Sequence, residues 1–245
     1  LWNRKPRIQW LVMSASIIDA QSWAETVGIE AAGLQWDEVD LPNLWPRANR
    51  PIVGRTWGYM NSKSSDESKQ RVIDQIVKIC RVHRVKGENI LVHSVSYQLA
   101  ERIVNALVDA GMEAWTYGAS WERNATLEKF KGHGGVIVAP SLDRGIDLPD
   151  DLCRVVIIAK VPFPTLGGQV QARMNMPDGQ RWYAVQTART LIQMTGRGIR
   201  HKDDRCVTYI LDNAFDDFYR RWSSLLPRWW RNSITDERPR DWWRT

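Results

Sequence analysis

The residues best suited to chemistry in this chain are Arg197 and Arg200, set three apart in the run Gln193-Met194-Thr195-Gly196-Arg197-Gly198-Ile199-Arg200. Positions three apart share a helix face, so both guanidiniums are expected to address one anion. Guanidinium forks match phosphate oxygens, which makes the run suited to sensing a terminal phosphate. In isolation the same residues also describe a solvated basic helix end, so the elements around them decide the reading.

Those elements alternate. Short apolar runs bounded by turn residues are expected as strands at 8–13, 90–93, 114–117, 136–139, 155–159 and 207–211. Amphipathic segments lie between them, the pattern of a mainly parallel sheet with crossover helices. Val72, Ile73, Ile76, Val77 and Cys80 follow a 3.6-residue period behind a cap at Asp66 or Ser68, and Leu99, Ile103, Leu107 and Ala110 repeat it before a stop at Gly111. The expected class is α/β. Residues 41–66 carry Pro42, Pro46, Pro51, Gly54 and Gly58 and should be irregular, with an interdomain boundary near Arg50. A second irregular stretch, 161–180, is expected as one long loop leading to the helix of the double arginine.

Size and composition narrow the function classes. A chain of 245 residues with 43% hydrophobic content can build one large or two small cores. It has no apolar run near the ~20 residues of a membrane span and no signal-peptide pattern. Cys80, Cys153 and Cys206 are too widely spaced for a zinc site or a disulfide framework, so buried thiols are expected and no metal ligands. A net charge of +6 favours a polyanionic partner. The start, Leu1-Trp2-Asn3-Arg4, lacks an initiator Met and suggests a piece of a longer protein.

Ligands of open α/β sheets bind beyond the carboxyl ends of the strands, and three strand ends carry suitable residues. The run 136–147 ends in Ser141-Leu142-Asp143-Arg144-Gly145-Ile146-Asp147. Gly145 permits close backbone approach, Asp147 suits a ribose or an ordered water, and Ser141 can bond a phosphate. The run 90–97 ends in Ser94, Ser96 and Tyr97, where a hydroxyl can cap the next helix, contact a phosphate, or both. Leu11-Val12-Met13-Ser14-Ala15-Ser16 closes the first expected strand in three small residues.

Taken in order, these runs resemble motifs III (Ser14, Ser16), IV (Ser94), V (Ser141 to Asp147) and VI (Gln193 to Arg200) of superfamily-two helicases. Val161-Pro162-Phe163-Pro164, then Arg173, Trp182-Tyr183 and Ala188, resembles the XPD/DinG-like branch, nearer its bacterial and phage DinG-like members. The resemblance spans about 8–234. It implies a RecA-like fold: residues 1–49 as the remnant of a first RecA-like lobe with its linker, 50–234 as the second lobe, and 235–245 as a Trp- and Arg-rich tail. It also implies an ATP-dependent DNA helicase. Arg200 would act as the arginine finger beside Arg197, with Gln193, Gly196, Gly145 and Asp147 at ATP. Ser94, Ser141, Tyr97 and Arg144 would lie on single-stranded DNA, while Ser14 and Ser16 couple the lobes. Strand polarity of 5′-to-3′ and a cytoplasmic location follow from the resemblance alone.

Other parts would belong elsewhere. No Gly-x-x-x-x-Gly-Lys-Ser/Thr loop occurs, so ATP and Mg²⁺ would be held mainly by the N-terminal helicase lobe, as would any iron–sulfur cluster. Asp37-Glu38-Val39-Asp40 spells a magnesium box but follows Ser14 instead of preceding it, and reads as an acidic surface turn. From Arg220 onward tryptophans interleave with arginines, a pattern that holds single strands but equally closes a lobe, the reading preferred here. The competing function is a non-catalytic nucleic-acid-binding scaffold of RecA-like fold. An RNA helicase is disfavoured by the Val-Pro-Phe-Pro run.

Overall fold

The computed structural model describes residues 9–14, 17–41, 45–140 and 148–235. In chain order the strands are β1 (Ile52–Val53), β2 (Ile90–His93), β3 (Ala114–Trp115), β4 (Val136–Ala139), β5 (Val155–Ile158), β6 (Val207–Ile210) and β7 (Ile234–Thr235). All pairings are parallel, in the order β3-β4-β2-β5-β6-β1-β7. The helices are α1 (Ala20–Thr26), α2 (Asp66–Val85), α3 (Tyr97–Asp109), α4 (Arg123–His133), α5 (Gly168–Met174), α6 (Gly179–Thr195), α7 (Ala214–Trp222) and α8 (Arg228–Arg231).

Burial explains the layers. Every residue of β2, β4 and β5 is buried, as continuous apolar strands covered on both faces must be. Alternate side chains then part: Ile90, Val92, Val136 and Val138 pack with α2 and α3, while Leu91, Ile137, Val156 and Ile158 pack with α4, α6 and α7. The helical periods place these contacts, with Val72, Ile73 and Ile76 of α2 and Ile103 and Leu107 of α3 almost wholly covered. Gly111 ends α3 as expected, at φ +78°.

Several expectations need correction. Of the strand expected at 8–13, Ile8 lies outside the described residues, and residues 9–14 form no strand: Leu11 is 83% and Met13 81% exposed. The irregular region around 50 contains β1, an inner strand between β6 and β7, too short to show a period. The stretch 161–180 contains α5 and is not one loop. The cap of α2 is Ser65, whose side chain accepts from the Ser68 N–H. Asp66 is paired with Arg102 instead, and the Ser68 hydroxyl is engaged with the Tyr59 backbone.

The C-terminal tryptophans close the lobe as far as they are described; 236–245 lie outside. Trp230 is fully buried and its indole N–H donates to the Thr195 hydroxyl at 2.8 Å. Arg50 donates to the Trp45 and Trp229 carbonyls and to Ser233, and lies over the Trp229 ring at 4.9 Å. The segment around 50 is thereby fastened to the chain's far end. Trp230→Ala should cost about 3–5 kcal/mol, the range for deleting a buried aromatic, in urea unfolding; a loss below 1 kcal/mol would mean the segment is not part of the core.

Candidate nucleotide and nucleic-acid surfaces

The arginine run begins where α6 stops. Gly196 caps the helix and residues 196–198 form a turn, so Arg197 and Arg200 do not share a helical face as their spacing suggested. What fixes them is close packing. A Cβ on Gly198 would lie 2.6 Å from the Cys153 carbonyl and nearer still to the Cys206 sulfur, so only glycine permits this approach. Cys153 and Cys206 precede β5 and β6, which seats the turn at the amino edge of the sheet. Arg197 is half-buried and Arg200 exposed; Gln193 is half-buried and Gly196 exposed beside them.

Asp204 anchors the far side of this turn. Its carboxylate is 1% exposed and accepts from the Arg154 guanidinium at 2.5 Å, the Arg205 N–H at 2.9 Å and the Arg200 N–H at 3.1 Å. A buried carboxylate requires such a set of donors. Asp150, His201 and Asp204 bring metal-type ligand atoms within 4.8 Å of one another. The Asp204 oxygens already serve a cation and two amides, however, and Asp150 accepts from His201. The trio does not fit a divalent ion.

At the carboxyl edge a second buried carboxylate, Asp212, accepts from the N–H groups of Met60, Val161 and Ala214 at 3.2, 2.9 and 3.1 Å, joining loops from β1, β5 and β6. Burial pushes its carboxyl above the usual range, against those three bonds. The Val-Pro-Phe-Pro turn is held by rings: Phe163 stacks on Tyr183 at 5.8 Å and meets Phe218 edge-on at 6.3 Å. The loops leaving β2 and β5 run toward opposite sides of the sheet, which opens a crevice at such strand ends.

The turn after β2 is unusual. Val95 sits at φ +60°, a region that β-branched residues rarely adopt and that marks functional turns. Ser94 is fully buried and its hydroxyl donates to the Ser96 carbonyl at 3.1 Å. Ser96 caps α3, its side chain accepting from the Leu99 N–H. Tyr97, the first residue of α3 directly after this turn, is exposed, at 42%. His93, wholly buried, has no hydrogen-bond partner on either ring nitrogen among the described residues. Burial, then the charge of Arg197, pushes its imidazole down to about 3.

The backbone of the arginine turn is thus seated against the amino ends of β5 and β6, while the charge of Arg197 reaches His93 at the carboxyl end of β2, next to Ser94 and Tyr97. Ser14 is described, in the irregular segment 9–14. Ser16, Ser141, Arg144, Gly145 and Asp147 lie outside the described residues. Asp37 to Asp40 are exposed and irregular, as an acidic surface segment should be. Sequence reasoning missed Asp204, Arg154 and Asp212, whose only linear signal is a charged residue beside a strand end.

Comparison with known proteins gives a consistent answer. Residues 76–233 match the family described as "Helicase C-terminal domain". The chain is 26% identical over 183 residues to the Fanconi anemia group J protein homolog of Gallus gallus, covering 60% of this chain and 14% of that protein. It is 21% identical over 268 residues to the regulator of telomere elongation helicase 1 homolog of Caenorhabditis elegans, covering 92% of this chain and 26% of that one. The chain thus spans about a quarter or less of these relatives. Among solved structures, one titled "XPD_APO" aligns over 72% of this chain and 38% of its own, with a TM-score of 0.56 at 20% identity. Saccharomyces cerevisiae Dbp5 bound to RNA and ADP BeF3 aligns over 86% and 48%, with a TM-score of 0.56 at 15% identity. The fold is RecA-like.

Two outcomes follow from this geometry. Asp204→Ala should destabilise the chain by about 3–5 kcal/mol in urea unfolding, the cost of stranding a buried partner charge; a loss under 1 kcal/mol would contradict the anchor. His93 is neutral when folded, with its pKa lowered from 6.5 to about 3, so below pH 6.5 the unfolded chain binds the extra proton. Its stabilising effect is complete above that pH and is lost toward pH 3, at up to about 1.4 kcal/mol per unit. His93→Leu should flatten that part of the stability profile.

Proposed function

The chain belongs to the helicase C-terminal domain family, in the XPD/DinG-like branch of superfamily two, and from that premise we propose that it is the second RecA-like lobe of an ATP-dependent DNA helicase. The observation that carries this reading is the arginine turn. It is held from one side by the approach of Gly198 to Cys153 and Cys206, and from the other by Asp204, while Arg200 remains exposed. A turn so constrained loses little freedom when its guanidinium meets a charged ligand.

In the working enzyme ATP lies between two lobes, its phosphates gripped by the N-terminal lobe and faced by Arg200 and Arg197 from this one. Arg200 stabilises the negative charge that develops as the terminal phosphoryl group transfers, a contribution of about 10³–10⁵ in rate for such arginines. Gln193 and Gly196 stand beside the nucleotide, as do Gly145 and Asp147. Mg²⁺ belongs to the other lobe, since the Asp150–His201–Asp204 trio is already occupied by internal partners. Single-stranded DNA runs across the carboxyl edge, near Tyr97, Ser94, Ser141 and Arg144. Closing and opening of the lobes, coupled through Ser14 and Ser16, then moves the strand.

Carrying the nucleotide contacts and the strand contacts on one rigid sheet makes the two move together. Arg200→Ala in the protein that includes the ATP-binding lobe should lower DNA-stimulated ATP hydrolysis at least about 10³-fold, with the dissociation constant for single-stranded DNA within about twofold of the parent. Hydrolysis at the parental rate would overturn the assignment. No hydrolysis by the parent itself, with DNA binding intact, would leave a nucleic-acid-binding scaffold.

A further inference from the structure

The loop between β3 and α4 carries the most exposed aromatic side chain of the described residues. Trp121 is 83% exposed, yet its backbone is fixed. The Gly118 and Ala119 N–H groups donate to the Glu122 carboxylate at 2.8 and 3.2 Å, and the Glu122 N–H donates to the Ala119 carbonyl at 3.1 Å. An indole left in water on a pinned turn costs hydrophobic stabilisation that a bare surface does not recover.

The loop also stands in the right place. It leaves the carboxyl end of β3, and Tyr117 at its start meets Tyr97 edge-on, with ring centroids 6.2 Å apart and planes at 79°. Tyr97 opens α3 directly after the turn that follows β2, so the two segments meet across the end of β4, the strand between them. We infer that Trp121 is a base-stacking platform that extends the single-stranded DNA track from Tyr97 outward to the β3 edge of the sheet. The ligand chemistry follows from the residue: a flat exposed indole held on a fixed backbone suits the face of an unpaired base of any sequence. A protein partner would need a wider apolar surface than one indole gives. The inference rests on the reading of the carboxyl edge as the DNA track, and its test separates the two.

The dissociation constant of the chain for an oligothymidylate of about a dozen nucleotides is measured by fluorescence anisotropy across a salt series. Trp121→Ala should weaken binding about 5- to 100-fold, the range for losing one stacked base. The salt slope should stay unchanged because no phosphate contact is lost, and Trp121→Phe should restore most of the affinity. An abasic nucleotide stepped along the strand should weaken the parent at one position by a similar factor and leave Trp121→Ala unaffected there. If the parent binds but Trp121→Ala binds equally well, or both respond alike to the abasic scan, the stacking role is wrong while the DNA track stands. If the parent binds no single strand even at low salt, the reading of the edge fails and the inference with it.

Discussion

The Asp204 carboxylate is the constraint on which the arrangement of this lobe turns. It is one buried negative charge and must be answered by donors; those it finds are the guanidinium of Arg154, just ahead of β5, and the amides of Arg200 and Arg205. One interaction thereby ties the entrance of β5, the entrance of β6 and the arginine turn to each other. Gly198 completes the clamp by letting the turn pass against Cys153 and Cys206, where any side chain would force it outward.

Asp212 plays the corresponding part at the opposite edge, where it gathers the loops after β1, β5 and β6. Between these two anchors the sheet is covered on both faces and is stiff in the way close-packed interiors are. A lobe of that kind transmits displacement as a rigid body. Contacts made at the amino edge and contacts made at the carboxyl edge then move together, which is the mechanical requirement for coupling a nucleotide to a strand.

Much of this was legible in the sequence. Three central strands, β2, β4 and β5, are almost continuous apolar runs because both their faces are buried, and α2 and α3 show a clear period because one face of each is wet. The double arginine was visible because it stands beside glycines in a short, dense motif. Other features depend on contacts between distant residues. The β1 strand has only Ile52 and Val53, and takes its place from β6 and β7. Asp204 and Asp212 are single carboxylates in the linear chain and become anchors only once distant amides converge on them. The expected strand is absent over its described residues 9–13 for the converse reason: the apolar residues look like a strand, but Leu11 and Met13 face solvent instead of packing on the sheet.

The central claim is that the arginine turn completes a nucleotide site whose other half lies in a partner lobe. Titrating the chain into the separate ATP-binding lobe, in the presence of single-stranded DNA, tests that claim most directly. The account requires the ATP hydrolysis rate to rise with added chain and saturate, and to show no such rise when the added chain carries Arg200→Ala. A parental chain that binds the partner lobe without raising hydrolysis, or an Arg200→Ala chain that raises it equally, would contradict the account.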